Sequence, residues 1–419
     1  MKQIVIEGGH PLKGTITISG AKNSAVALVP ASLLCDEQVT IDHVPDISDI
    51  DALEEMLEYL GAQVKREDGT IEIDASKIQN KEIPEHISKK LRASYYFMGA
   101  LLGKYKVATM YFPGGCPIGA RPINFHLKGF EALGAHVIEE GNKYTIQAEE
   151  LKGNNIYLDM PSVGATINIM LAAVKAKGTT TIENAACEPE IVNVATFLNN
   201  MGAKIKGAGT STIIIKGVTY LHHAYTEVIP DRIEAGTYLL AGALLGEDVT
   251  VQNVIPEHIL SLLQKLKQMG VPMKLEGDTI HIRKGNHLKP VVITTGVFPG
   301  FPTDLQQPIT TLLTQCEGIS EVTETIYENR FLNTKYLNHM GASIHGKGSD
   351  KIQIKGPTPL VGKTVKATDL RAGACLVLAG LVAQGTTTIQ EVEHVLRGYE
   401  NIIEKLSGIG AKIRLEEIK

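Results

Sequence analysis

A chain of 419 residues is too long for one compact hydrophobic core, so two domains are expected. Its 43% hydrophobic and 21% charged residues suit a soluble globular protein, while a net charge of −5 and the absence of tryptophan argue against a nucleic-acid or anionic-membrane partner. The five cysteines (Cys35, Cys116, Cys187, Cys316 and Cys375) are scattered and form no C-x-x-C pair, which disfavours a zinc site or a disulfide framework and fits a reducing cytoplasm.

The opening Met-Lys-Gln-Ile-Val-Ile-Glu carries an acid at Glu7 and lacks the apolar stretch of a signal peptide. Leu376–Ala383 is far too short for a membrane span, so a cytoplasmic location is expected. Leu12–Ser19 reads as an isolated strand ahead of the first full unit, able to pair with the last one. Ser19-Gly20-Ala21 then leads into Lys22-Asn23 at a strand-to-helix transition. Such a place offers backbone N–H groups and a positive dipole to an anion. A plain helix start with a solvated lysine is the alternative.

From here the chain repeats. A helix-ending pattern, Leu-x-x-Leu/Met-Gly-Ala in outline, recurs at Leu57–Ala62, Phe130–Ala135, Leu198–Ala203, Leu266–Val271, Leu337–Ala342 and Leu406–Ala411. The fourth copy shows its physical content. Ile259, Leu262, Leu263, Leu266 and Met269 form one apolar helical stripe, Lys265 and Lys267 suit the last turn, and Gly270 is a left-handed stop. A turn at Gly277-Asp278 leads into the alternating strand Thr279–Ile282, and upstream lie an apolar helix from Ile233 to Leu245 and the strand Val249–Val251. Each unit therefore reads strand–helix–strand–helix–strand–strand over about 70 residues, long for a solenoid repeat. Three such units closing around shared helices would give two pseudo-threefold α/β domains; an open array of six forming a scaffold is the other arrangement. Crossings near residues 20 and 230 would leave a cleft between two lobes, a favoured ligand site.

Several residues stand out along this frame. Arg92 opens an apolar helix, where the dipole repels a cation, so it is a ligand clamp or an exposed terminal residue. Pro113-Gly-Gly-Cys116-Pro-Ile-Gly-Ala-Arg121-Pro122 is too rich in Gly and Pro for helix or central strand, which puts Cys116 in a loop with the Arg121 cation nearby. It reads equally as a reactive thiol or as a decorated turn. Asp231-Arg232 reads as an internal ion pair. Asp304, in Phe301-Pro-Thr-Asp304, stands just before the fifth apolar helix as a functional carboxylate or an N-cap. Asp369-Leu-Arg371 occupies the position equivalent to Asp231-Arg232 in its own unit and could likewise be an internal ion pair. Glu328-Asn-Arg330 and Arg397-Gly-Tyr-Glu400 sit where a strand hands over to the amphipathic helix, arginines placed repeatedly at strand ends in the manner of an anion clamp. Neither a Rossmann nor a P-loop glycine fingerprint is present, and the adjacent His222-His223 cannot share a helix face; no metal and no organic cofactor are expected.

As an ordered series these segments resemble the enolpyruvyl transferases over essentially the whole chain, and the branch acting on UDP-N-acetylglucosamine in particular. The series also takes in Ser162-Val163-Gly164-Ala-Thr166 and Glu188-Pro-Glu190-Ile-Val192, and the cysteine loop is its most specific member. The resemblance implies a two-domain inside-out α/β barrel of six βαβαββ repeats, three per domain, with residues 22–229 in one lobe and 1–21 plus 230–419 in the other. It implies transfer of the enolpyruvyl group of phosphoenolpyruvate to the 3′-hydroxyl of UDP-N-acetylglucosamine, with phosphate released. Cys116 would be the proton donor, able to form a covalent adduct, and Asp304 would orient or deprotonate the hydroxyl. Lys22, Arg121 and Arg397 would hold phosphate and carboxylate oxygens, and Asn23 the adduct or sugar. Arg92, Pro122, Ser162, Val163, Gly164 and the backbone around Ile326 would contact the sugar nucleotide; Arg330, Asp369 and Arg371 would complete the site on domain closure.

This sequence departs from the family twice: Ser48 stands where many members have lysine, and Pro308 replaces the second glutamine after Asp304. The sister transferase acting on shikimate 3-phosphate shares the chemistry, but lacks the cysteine loop and usually reads Ser-Lys-Ser where this chain has Ala21-Lys22-Asn23.

Overall fold

The computed structural model describes residues 2–111 and 123–417. The chain divides into two compact units, a terminal one of residues 2–19 with 230–417 and a central one of 20–111 with 123–229. The backbone passes between them at Ser19–Gly20 and again at Ile229–Pro230. Each unit holds three small sheets around three buried helices. In the central unit these helices are Lys22–Ala31, Tyr96–Tyr105 and Val163–Ala173. In the terminal unit they are Arg232–Leu245, Thr303–Leu313 and Leu370–Val382. All are surrounded by protein, and five are apolar on nearly every face; Thr303–Leu313 is the exception, burying Gln306, Gln307, Thr310 and Thr311 as well.

The third repeat shows the plan complete. Strand Asn155–Tyr157 leads through the buried helix to Thr179–Glu183, its parallel neighbour, because a parallel pair needs a crossover of this length. The amphipathic helix Pro189–Asn200 follows, burying Ile191, Val194, Phe197 and Leu198, and the hairpin Lys204–Lys206 and Thr212–Lys216 completes the sheet. All six repeat glycines take a left-handed φ, from 87° at Gly270 to 109° at Gly341. A side chain there would be strained, which is why the helix-ending pattern recurs. In the second repeat the first strand shrinks to one bridge, Ile83 to Met110, leaving a three-stranded sheet.

The sheets are separate and open, with no closed β-barrel among the described residues; three in each unit surround the buried helices, the inside-out arrangement expected from the sequence. One detail corrects the sequence reading. Leu12–Thr17 does not join the last repeat: it pairs in parallel with Gly246–Gln252, filling the place ahead of the buried helix Arg232–Leu245. The strand inserted into the last repeat is Lys2–Glu7, between Thr386–Gln390 and Lys412–Glu417. Correspondingly, Ala224–Glu227 at the end of the central unit supplies the first strand of the first repeat, beside Gln38–Asp42. Each unit is thus closed by a strand from the far end of its own chain segment.

Candidate active site

In the central unit, Lys22 is the first residue of its buried helix, with Ala21 at the N-cap and no side-chain cap. The Lys22 ammonium lies 2.7 Å from the carboxylate of Asp49, whose side chain is 4% exposed. Asp49 belongs to the first turn of the helix Ser48–Leu60, where the dipole favours a carboxylate. Lys22 is therefore not a freely solvated lysine. Ser48, the departure from the family pattern, is the first residue of that same helix. Asn23 is half-buried, and Ser24 beside it donates to Asn193, which also ties down Ile229 N and Glu227 O.

Arg92 does not open an α-helix directly. It begins a 3₁₀ turn, Arg92–Tyr95, that feeds the buried helix Tyr96–Tyr105. Its charge acts on His126, a buried imidazole whose pKa is pushed down to about 3, chiefly by burial and then by Arg92. Asn168 donates to His126 Nδ1 at 2.9 Å and to Tyr95 O at 2.8 Å, and accepts from Gly99 N at 2.8 Å. With Nδ1 accepting, the proton of the neutral ring sits on Nε2. Ser162 caps the helix Val163–Ala173 through Ala165 N. A Cβ on Gly164 would fall 2.9 Å from both His126 Cε1 and Tyr95 Oη, so glycine is required there. Arg92, Ser162, Val163 and Gly164 thus meet around one buried polar network.

In the terminal unit, Asp304 lies in the first turn of Thr303–Leu313, but it is not the N-cap; Pro302 holds that position. Its carboxylate accepts from Arg330 at 2.7 Å and from Arg371 at 3.2 Å, both guanidinium groups being almost wholly buried. Arg371 is held in turn by Tyr399 Oη at 3.2 Å and over its ring at 5.5 Å. Burial is the largest influence and opposes the charge of Arg371, yet Asp304, Tyr399 and Asp231 together outweigh it and the pKa is raised. Asp369 caps its helix through Arg371 N and Ala372 N, and Gln307 donates to both Asp369 and Arg330 O. Asp304, Arg330, Asp369 and Arg371 are thereby joined in one bonded group. Pro308, inside the same helix, has no N–H to give the carbonyl of Asp304 four residues back.

Asp231, read from sequence as the ion partner of Arg232, caps its helix through Ile233 N and Glu234 N, and Arg232 lies over Phe298 at 5.7 Å. Arg397 follows the short helix Glu393–Leu396, just before the buried Tyr399. Ile326 is half-buried, and its N–H is taken by Glu324 at 2.8 Å. Cys116, Arg121 and Pro122 lie outside the described residues. Asp42, His43 and Glu227 are the described side chains that come close enough together to hold a metal ion, and Thr70 and Tyr225 already engage Asp42. Among the described residues no helix is long and apolar enough to cross a membrane.

A family model described as EPSP synthase (3-phosphoshikimate 1-carboxyvinyltransferase) matches residues 6–406. The chain belongs to this enolpyruvyl transferase family. It is 54% identical to UDP-N-acetylglucosamine 1-carboxyvinyltransferase 2 of Listeria monocytogenes, over 98% of this chain and 97% of the relative. It is likewise 54% identical to the protein of that name in Bacillus anthracis, over 100% and 97%. Among solved structures, the enolpyruvyl transferase NikO from Streptomyces tendae matches at a TM-score of 0.90 with 27% identity, covering 100% of this chain and 99% of that one. EPSP synthase from Acinetobacter baumannii matches at 0.77 with 19% identity, covering 100% of both chains, a likeness of fold alone. The two-domain enolpyruvyl transferase fold is thus the fold of this chain.

Within this enolpyruvyl transferase, reading the sequence missed four supporting residues: Asp49, His126, Asn168 and Glu324. Each is a polar side chain buried in the fold. A polar residue on an otherwise apolar stripe was the available signal for His126 and Asn168. For Asp49 and Glu324 the partners lie far away in sequence, and nothing local marks them.

Proposed function

We propose that this enzyme transfers the enolpyruvyl group of phosphoenolpyruvate to the 3′-hydroxyl of UDP-N-acetylglucosamine, releasing phosphate, as the first committed step of peptidoglycan synthesis. The observation that carries the reading is the Asp304 carboxylate, fixed by Arg330 and Arg371 at the head of a buried helix. The near-full-length likeness to transferases named for this acceptor supports the choice of substrate.

The chemistry sets the roles. The enol carbon of phosphoenolpyruvate becomes electrophilic only when its methylene is protonated, and the attacking hydroxyl must shed its own proton. Cys116 gives the proton to the methylene. The hydroxyl oxygen adds to the neighbouring carbon, forming a tetrahedral adduct that expels phosphate and gives a methyl proton back to the Cys116 thiolate, restoring the enol ether. Asp304 orients the hydroxyl and accepts its proton; bonds from two guanidinium groups leave its oxygens few orientations, and fixed geometry is what a positioned base needs. Lys22, Arg121 and Arg397 hold the phosphate and carboxylate oxygens of phosphoenolpyruvate and Asn23 the adduct. Arg92, Pro122, Ser162, Val163, Gly164 and the Ile326 backbone hold the sugar nucleotide, and Arg330, Asp369 and Arg371 set the environment of Asp304. A cytoplasmic location suits both substrates.

The test supplies phosphoenolpyruvate with either UDP-N-acetylglucosamine or shikimate 3-phosphate and measures released phosphate. Release with the nucleotide sugar alone is expected. Release with shikimate 3-phosphate alone would assign the chain to the sister reaction.

A further inference from the structure

The segment from Glu324 to Arg330 is tied at both of its ends to the start of the helix Thr303–Leu313: Glu324 bonds Thr303, and Arg330 bonds Thr303 and Asp304. At its start, the Glu324 side chain is 3% exposed, a costly place for a carboxylate unless its oxygens are bonded. They are. Oε1 accepts from Thr295 Oγ1 at 3.0 Å, from Ile326 N at 2.8 Å and from Tyr327 N at 3.3 Å. Oε2 accepts from Thr303 Oγ1 at 3.0 Å. At the other end, Arg330 donates to Thr303 O at 3.3 Å and to Asp304 Oδ1 at 2.7 Å, with Tyr327 beneath its guanidinium at 5.4 Å. The loop between has few ways to move without breaking one of these ties.

Strand termination alone does not account for this arrangement. The end of strand Gly318–Thr323 is already secured by Thr295 N to Thr323 O at 3.0 Å and by the two bonds between Thr325 and Thr295. What Glu324 adds is a link from the Ile326 backbone, through one carboxylate, to the residue preceding Asp304.

We infer that Glu324 is a positioning residue for the transfer reaction, locking the acceptor-binding backbone at Ile326 to the turn that carries Asp304. The inference rests on the roles given above to Ile326 and Asp304. One group then sets both where the nucleotide sugar lies and how the carboxylate faces its hydroxyl. Phosphoenolpyruvate, held by other residues, is outside its reach.

Three variants test it, with KM for each substrate, kcat, and calorimetric binding of UDP-N-acetylglucosamine alone as readouts. Glu324→Gln preserves the link, since its oxygen still accepts from Thr295 and both N–H groups while its amide donates to a reversed Thr303 hydroxyl. It should stay within about threefold of the parent in every parameter, being a loss of charge without loss of a bond. Glu324→Ala orphans all four donors; roughly a tenfold rise in both KM and Kd for the nucleotide sugar is expected, with a fall in kcat and an unchanged KM for phosphoenolpyruvate. Thr303→Val cuts only the tie to the Asp304 turn, so kcat should fall while the sugar still binds. If Glu324→Ala loses kcat with its KM and Kd for the sugar unchanged, its role is only structural and the inference fails. If that variant does not fold, Thr303→Val decides, and an unaltered kcat overturns the inference. Asp304→Asn is measured alongside: its turning over at the parent rate would remove the role of Asp304 itself, while the affinity of Glu324→Ala for the sugar still judges the tie to Ile326.

Discussion

Asp304 Oδ1 lies 2.7 Å from a guanidinium nitrogen of Arg330, a side chain only 2% exposed, and its other oxygen meets Arg371 at 3.2 Å. A carboxylate between two buried cations is oriented by both, and neither cation can leave without stranding a charge. Arg371→Lys keeps the charge but loses the fork that reaches Tyr399 and Asp304 together. We expect it to lower kcat by about a hundredfold, the loss typical of a misaligned electrostatic group, with a smaller change in KM for either substrate. Steady-state kinetics with each substrate varied checks this; a kcat within twofold of the parent would show that Arg371 does not orient Asp304.

The Lys22–Asp49 pair leads to a different expectation. Both side chains are largely buried, so removing one charge leaves the other poorly compensated. Asp49→Asn should cost about 3 kcal/mol of stability, the range for breaking a buried pair, and should raise KM for phosphoenolpyruvate as the ammonium loses its anchor. Asp49→Glu should recover part of the affinity. Denaturant unfolding and phosphate release measure the two effects separately. A stability loss without any change in KM would confine Asp49 to a structural role.

How far the sequence revealed this site follows from the range over which its signals act. The six glycine-terminated helices were readable because an apolar stripe and a left-handed stop are local features of one turn. The partners of Lys2–Glu7 and Leu12–Thr17 were not, because alternation reveals a buried face without saying which strand lies beside it. Asp304 was visible as a carboxylate at a helix start, where N-capping was the local reading. The bonds that make it more than a cap come from Arg330, 26 residues on in the same repeat, and from Arg371 in the next, and are created by the tertiary fold. Glu324 had no local mark at all: its Thr295 and Thr303 partners come from the segment on the other side of the parallel strand pair.

Gly164 offers a steric test. Its place between Tyr95 and His126 leaves no room for a methyl group, since Tyr95 Oη and His126 Cε1 would each sit 2.9 Å away. Gly164→Ala should therefore lose about 1–3 kcal/mol through displacement of the ring or of the helix start. If Ser162, Val163 and Arg92 hold the nucleotide sugar, the same shift should weaken its binding while leaving phosphoenolpyruvate affinity intact. Thermal unfolding reads the first effect and calorimetry with UDP-N-acetylglucosamine the second; unchanged sugar affinity in a destabilised variant would remove this segment from the acceptor site.

His126 makes stability depend on pH in a predictable sense. Burial, then the Arg92 charge, pushes its pKa down to about 3, whereas in the unfolded chain it titrates near its ordinary value of 6.5. Between those values the unfolded chain binds a proton that the folded one refuses, so the His126 contribution is intact above about pH 6.5 and is lost on acidification toward 3. The slope from this one group is at most about 1.4 kcal/mol per pH unit. Glu234 acts in the opposite sense. Burial raises its carboxyl to about 7 against the pull of Lys405, so the folded form keeps a proton that the unfolded form releases above about 4.5, and its contribution declines as pH rises through that window. The two slopes overlap, so the bare profile of the parent does not isolate either. His126→Gln does: the Glu234 contribution is common to both proteins and cancels in their difference. The glutamine oxygen can still accept from Asn168, but the side chain has no proton to gain. The stability advantage of the parent over His126→Gln should shrink steadily as pH falls from 7 to 5. Denaturant unfolding at fixed salt across that range measures it, and a difference that stays constant with pH would show that His126 is not held neutral in the folded chain.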